Sequence, residues 1–361
     1  MKRTPLYAAH CNRNARIGPF AGWEMPIQYT GIVPEHIHTR MHASIFDTCH
    51  MGEFEFRGPD AEEDLETLAT QSVASMRDGQ CRYGFLLNEQ GGVLDDITVF
   101  RRNSEHFFMV VNAGTLPADA AWIREHLSSG TRFADLSPGR AKLDIQGPRS
   151  REFMEEVTGD RLPDLGYFRF CDSSLCGVPC TLSRTGYTGE WGYEFYFSAD
   201  SAARLWGEFL ANKGIRPAGL GARDTLRLEV GYPLYGHELN AGGTPVGAFG
   251  GQFVDTTKSF IGRAAVMREL EQGPLRRLCG LRLASKRAAR DGDPVILDGE
   301  NVGSVTSGSL APSLQIAVAL AFVDRAHAEP GTPLEVRVRG KLLPAKVVNL
   351  PFYKDGTARR R

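Results

Sequence analysis

Side chains able to do chemistry gather at a few places along the chain. Asp95 and Asp96 adjoin within the apolar run Val93 to Phe100. A carboxylate in a cavity can act as a general acid or base and stabilise developing positive charge. Strand alternation sends two neighbours to opposite faces, so only one of the pair should enter a given cavity. The plainer reading is that both finish a hairpin strand. Glu194, in Gly192-Tyr193-Glu194, can accept hydrogen bonds at two oxygens or sit on an ordinary outward strand face. Arg223 can bind ligand oxygens or form a salt bridge with Asp224 or Glu229 near a helix start. His36, His38, His42 and His50 suggest metal, and His38 and His42 would share a helix face as two zinc ligands do. No H-E-x-x-H accompanies them, and a polar helix face explains them as well. Cys171, Cys176 and Cys180 fit no usual C-x-x-C spacing and read as small core residues.

These groups need elements to aim them. Pro34 to Ala43 reads as a helix, and Met51 to Arg57 alternates as a strand with Phe54 and Phe56 on one face. Pro59 and Asp60 open a helix that turns Leu65 and Leu68 inward. Cys81 to Leu87 and Val93 to Phe100 flank Asn88-Glu89-Gln90-Gly91-Gly92, which predicts a hairpin with both aspartates on its second strand. A strand is predicted from Phe107 to Val111 and a helix from Leu116 to Leu127. Further strands are predicted at Leu143-Asp144-Ile145, Tyr167 to Ser174 and Thr181 to Arg184, with a helix from Asp200 to Leu210 that Asp200 would cap. Beyond about Leu278, short β runs separated by Asp298-Gly299, Gly303, Gly308 and Gly340 predict a small barrel or sandwich. Glu271-Gln272-Gly273-Pro274 is the expected boundary.

The 361 residues have room for roughly two or three domains at about 150 residues each. Forty-two Lys+Arg against 43 Asp+Glu leave a net charge of -1, without the basic excess a nucleic-acid surface needs. No stretch approaches the roughly 20 apolar residues of a membrane span. The charges of Met1 to Tyr7 have no apolar run behind them, so no secretory signal or organelle leader is expected. Seven cysteines in no regular framework predict reduced thiols and a cytoplasmic location. The chain has no G-x-x-x-x-G-K-S/T, G-x-G-x-x-G or G-x-S-x-G motif, so nothing specific supports an ATPase, a nicotinamide dehydrogenase or an α/β-hydrolase.

Seven motifs stand in a fixed order. They are Gly22-Trp23-Glu24-Met25-Pro26, Phe46-Asp47-Thr48-Cys49-His50-Met51-Gly52, Gly91-Gly92-Val93-Leu94-Asp95-Asp96, Val110-Val111-Asn112-Ala113, Gln146-Gly147-Pro148, Arg184-Thr185-Gly186-Tyr187-Thr188-Gly189-Glu190 and Gly219-Leu220-Gly221-Ala222-Arg223-Asp224. Together they resemble the glycine cleavage system T-protein family, and Val305-Thr306-Ser307-Gly308 with Pro351-Phe352-Tyr353-Lys354 extends the likeness to nearly the full length.

The resemblance implies an α+β, three-domain, cloverleaf-like fold around a folate cavity, ending in an all-β barrel or sandwich. The expected units are 1–50 with 140–240, 51–139 with 241–276, and 277–361. It also implies a tetrahydrofolate-dependent aminomethyltransferase. The one-carbon unit would come from an aminomethyl group on lipoylated H-protein, with 5,10-methylenetetrahydrofolate, ammonia and the dihydrolipoyl arm as products. By the same resemblance the catalytic position falls on Asp96, facing folate N10, and Glu194 and Arg223 would hold the coenzyme. Tyr83, Tyr167 and Tyr187 would be aromatic walls, Met51, Val110 and Asn112 further walls, and Lys354 would sit near the mouth by the glutamate tail. The family's alternatives are another folate-dependent one-carbon transferase or demethylase, and a non-enzymatic folate-binding iron–sulfur assembly factor, whose Lys-Gly-Cys signature is absent here. Two places depart from the pattern: Trp191 replaces an expected acid, and the glycine-rich stretch 241–252 matches poorly, so it is expected to be flexible or reshaped and a changed carbon donor stays open.

Overall fold

The strand Ala43–Asp47 is buried along its whole length, as a strand covered on both faces must be. A computed structural model, which describes residues 1–360, places it inside a six-stranded sheet. The order across the sheet is Phe170–Leu175, Val178–Ser183, Gly192–Ser198, Arg140–Gln146, Ala43–Asp47 and Ile215–Pro217. Only the last pair is parallel. Between Asp47 and Arg140 the chain leaves to build an antiparallel five-stranded sheet, ordered Gln80–Leu87, Val93–Asn103, His106–Val111, Gly52–Arg57 and Arg132–Asp135.

Excursion and return keep the two sheets side by side. Cys81 N donates to Phe168 O at 3.0 Å and Phe170 N to Gly79 O at 2.9 Å across the seam. Phe100, Phe108, Phe170 and Tyr196 pack edge to face there, with ring centroids 5.2–5.5 Å apart, the arrangement ring quadrupoles prefer. Phe54 and Phe56 sit in the second sheet's core with Leu65, Leu68 and Ile123 from the helices Ala61–Leu68 and Leu116–His126.

The C-terminal strands close into a six-stranded barrel, ordered Arg276–Leu283, Ile316–Asp324, Glu300–Ala311, Pro294–Leu297, Pro333–Val338 and Lys341–Val348. Closure leaves no unpaired strand edge. Alternation divides the strand Ile316–Asp324: Ala317, Ala319 and Ala321 join the barrel core, while Val318 and Leu320 face Phe85, Val93 and Leu228. The barrel is thus bonded by apolar contact to the hairpin that carries the aspartates.

Some expectations shift. The strand expected from Tyr167 begins at Phe170, because Phe168 takes a left-handed φ of 58° and breaks the run. Residues Ala199–Ser201 form a 3₁₀ turn, the helix runs Ala202–Ala211, and no side chain caps it, so Asp200 is not an N-cap. The hairpin Arg16–Phe20 with Trp23–Gln28 and the helix Arg263–Gln272 were not predicted as elements, while the strand face at Glu194 and the helix start near Arg223 belong to Gly192–Ser198 and Leu220–Glu229. The helix Leu220–Glu229 lies so close to the Trp23–Gln28 strand that a Cβ on Gly219 would meet the Ile27 backbone at 2.4 Å. Cys180 is buried as expected, but Cys171 and Cys176 are only half-buried, and all seven cysteines are free. Among the described residues no helix is long and apolar enough to cross a membrane.

Candidate functional site

The strand Val93–Asn103 presents its two aspartates in opposite directions. Asp96 lines a cavity of about 310 Å³ that both sheets enclose. Asp95 is fully buried on the other face, against Asp119 of the helix Leu116–His126. Asn112, just past the strand His106–Val111, ties the two together. Its Nδ2 donates to Asp95 Oδ1 and Asp96 Oδ1, each at 2.8 Å, and its backbone N donates to Asp95 Oδ2 at 2.8 Å. Tyr83 donates its hydroxyl to Asp96 Oδ2 at 3.1 Å.

No cation joins this group among the described residues. Burial pushes the Asp96 carboxyl up to about 7, with Asp95 adding to the effect and the Tyr83 and Asn112 hydrogen bonds opposing it. Burial, and then the neighbouring Asp119, push Asp95 well above the usual carboxylate range. Asp119 is pushed up to about 7, again by burial, and is held down in part by the hydrogen bond from Asp95.

The other wall is built on Arg140–Gln146. Ala141, Leu143 and Ile145 enter the core of the six-stranded sheet, which leaves Lys142 and Asp144 together on the opposite face. Lys142 Nζ donates to Asp144 Oδ1 at 2.5 Å, Glu194 Oε1 at 2.7 Å and Thr48 Oγ1 at 3.3 Å. Arg223 Nη1 donates to Asp144 Oδ2 at 2.8 Å. Glu194 Oε2 accepts from the Thr185 hydroxyl and, at 3.2 Å, from the Tyr196 hydroxyl. Burial works against the charge on Asp144, but Lys142 and Arg223 overcome it and hold its pKa below the usual value.

Met51, Tyr83, Asp96, Val110, Asn112, Tyr187, Glu194 and Arg223 all line this cavity. Tyr167 and Lys354 do not. The left-handed turn at Phe168 presents that residue to the cavity instead, and Tyr167 packs against its ring at 4.8 Å and beside Arg184 at 5.7 Å. Lys354 lines a separate groove on the barrel with Lys286, Lys346 and Phe352. Its neighbour Tyr353 is held by Arg40, 4.2 Å from the ring, and by a 2.8 Å bond from its backbone N to Glu229 O. Arg223 pairs with neither expected partner, since Asp224 binds Arg227 and Glu229 binds Arg40.

Sequence reasoning missed Lys142, Asp144, Thr185, Tyr196 and Asp119. Lys142 and Asp144 carried a usable signal, being two charges spaced i, i+2 between apolar residues, which marks a polar strand face. Of the four histidines, His36 binds Thr225 and Glu229, the His38 and His42 rings lie tilted at 32° with centroids 5.0 Å apart, and His50 lines the cavity. Among the described residues no group of three or more His, Cys, Asp or Glu could hold a metal ion.

The two departures are both accommodated. Arg184 lies 3.4 Å over the Trp191 ring, and Trp191 N donates to Thr357 Oγ1 at 2.7 Å. The stretch 241–252 is wound into turns and pinned to the aspartate hairpin, because Val93 N donates to Asn240 O and Gly243 O at 3.1 and 3.0 Å. Phe253, at its end, packs edge to face on Tyr83 at 4.8 Å.

Comparison with known proteins agrees with this architecture. Residues 6–258 match the GCVT N-terminal domain, and residues 276–354 match the glycine cleavage T-protein C-terminal barrel domain. The chain is 43% identical over 367 residues to an aminomethyltransferase of Symbiobacterium thermophilum and 42% identical over 360 residues to one of Moorella thermoacetica, covering 98% of both chains each time. The crystal structure of glycine cleavage system aminomethyltransferase T from Bartonella henselae matches with a TM-score of 0.93 at 33% identity, covering 99% of each chain. The chain belongs to the glycine cleavage T-protein family of aminomethyltransferases.

Proposed function

We propose that this aminomethyltransferase holds tetrahydrofolate in the cavity, with Asp96 against the nitrogen that receives the carbon. The donor is an aminomethyl group on the lipoyl arm of H-protein, and the products are 5,10-methylenetetrahydrofolate, ammonia and the dihydrolipoyl arm. The observation that carries the reading is Asp96, a carboxylate in a ligand-sized cavity with no cation to fix its charge.

The lining suits such a ligand. Tyr83, Tyr187, Tyr196 and Met51 give flat and polarisable walls for a pterin and an aminobenzoyl ring. Glu194 Oε1 has one donor, Lys142, and Oε2 has a long bond from Tyr196 that can give way, so the carboxylate can receive an amino group and an adjacent ring N–H. Bound tetrahydrofolate would supply the two amine nitrogens that bridge the transferred carbon.

Asp96 has the remaining work. With a pKa of about 7 it can accept a proton from an arylamine at physiological pH and stabilise positive charge as the carbon is passed. Tyr83 and Asn112 each hold one of its oxygens, which fixes the direction of the free lone pairs. No observation favours a demethylase or an iron–sulfur assembly factor. The purified protein, given tetrahydrofolate and aminomethyl-loaded H-protein, should release ammonia and form methylenetetrahydrofolate together. Folate binding without either product would refute the transfer, and no folate binding would refute the whole reading.

A further inference from the structure

Glu194 and Arg223 sit on separate elements, the strand Gly192–Ser198 and the helix Leu220–Glu229. One strand nevertheless connects them. Lys142 holds Glu194, Asp144 holds Arg223, and Lys142 holds Asp144, giving an unbroken alternation of charge from anion to cation. Lys142 is 1% exposed, and its three N–H groups point at Asp144, Glu194 and Thr48, so none is left over for a ligand. Two cations balance two carboxylates, so the cluster does not need an added ion. A sheet does not require such a pair for stability, since apolar residues of similar size usually serve as well. Lys142 and Asp144 occupy the cavity face, where an apolar pair would leave Arg223 without its carboxylate and Glu194 held by one oxygen only.

We propose that Lys142 is a positioning residue that fixes the Glu194 carboxylate and, through Asp144, the Arg223 guanidinium, so that the ligand meets a pre-aligned anion and cation. This rests on the reading that Glu194 and Arg223 hold tetrahydrofolate. Preorganisation of this kind acts on affinity and leaves the chemical step alone, because Asp96 is held by different residues on the other sheet.

The test is tetrahydrofolate binding by calorimetry, with steady-state kinetics, on full-length Lys142→Met, Lys142→Met/Asp144→Leu, Glu194→Gln and Lys142→Met/Glu194→Gln. Lys142→Met should weaken affinity roughly 10–100-fold, the size of effect seen when a group that orients a metal ligand is removed. KM for folate should rise alike, with kcat within about 3-fold of wild type. The apolar pair Lys142→Met/Asp144→Leu, whose fold is checked by its melting transition, should show the same loss even where the single variant folds poorly. In the Glu194→Gln background, Lys142→Met should cost less than it does alone, because the arm to Glu194 is already broken and only the one through Asp144 to Arg223 remains. Wild-type affinity in the apolar pair, or a double-variant loss as large as the full product of the two single losses, would overturn the positioning role. A wild-type protein that binds no tetrahydrofolate would instead overturn the folate reading beneath it.

Discussion

The cavity's two walls are both built around buried carboxylates, and they behave in opposite ways. On the five-stranded sheet and the helix packed against it, Asp96, Asp95 and Asp119 stand together without a cation, and burial lifts all three well above the ordinary carboxylate range, Asp96 and Asp119 to about 7. On the six-stranded sheet, Asp144 is just as buried, yet Lys142 and Arg223 hold it below the ordinary range. The difference lies in the partners, not in burial or residue type. Uncompensated acids near neutral pKa can trade protons, whereas compensated ones keep a fixed charge and can only recognise. One wall is thereby suited to chemistry and the other to binding.

Breaking the proton-trading wall should have the largest effect. Asp96→Asn preserves shape and removes the base, so turnover should fall by about 10²–10⁴-fold, the usual worth of general acid–base help, while folate affinity stays within a few-fold. In the wild type, activity should rise with pH through about 7 as Asp96 loses its proton. A pH–rate profile flat between 6 and 8, or near-normal turnover in Asp96→Asn, would place the chemistry elsewhere.

Breaking the recognition wall should act on a different quantity. Glu194→Ala and Arg223→Ala should each weaken tetrahydrofolate binding by about 10–100-fold, in line with about 1.5–3 kcal/mol for a hydrogen bond to a charged group. The turnover of the bound complex should change less. Calorimetry reads the first effect and saturating kinetics the second. Unchanged affinity in both variants would dissolve the contrast between the walls.

Much of this was legible in the residues. Phe54 and Phe56, alternating in a short run, gave their strand, and Asn88 to Gly92 gave the hairpin loop. Turn residues at short intervals gave the C-terminal barrel. Those are local signals of period and punctuation. Alternation also separated Asp95 from Asp96, but which one met the cavity needed the family likeness. What stayed hidden was non-local. Asp119 lies 24 positions from Asp95 in the chain, and only the packing of its helix on the sheet brings the two carboxyls close enough to raise Asp95. Arg223 had two acids close by in sequence, yet it reaches Asp144, 79 positions away. Lys354 seemed a mouth residue because sequence order does not show which way Tyr353 anchors the tail.

The smallest expected effect gives the two walls opposite signs in stability. Asp119 has a folded pKa of about 7 against 3.8 for the free side chain, so the folded state binds the extra proton between those values. Stability from this group is full below pH 4 and is lost as pH rises through 7. Asp119→Asn removes the titration at nearly unchanged shape, so at pH 8 it should gain about 1–2 kcal/mol once relaxation is allowed for. Asp144 runs the other way, because its depressed pKa means that stability is present above 3.8 and lost only as pH falls through the folded value. Asp144→Asn should therefore destabilise at pH 7 by removing a paired charge. Denaturant melts of both variants across pH 5 to 8 would check the signs. If both changes moved stability in the same direction at pH 8, the partners would not be what separates the walls.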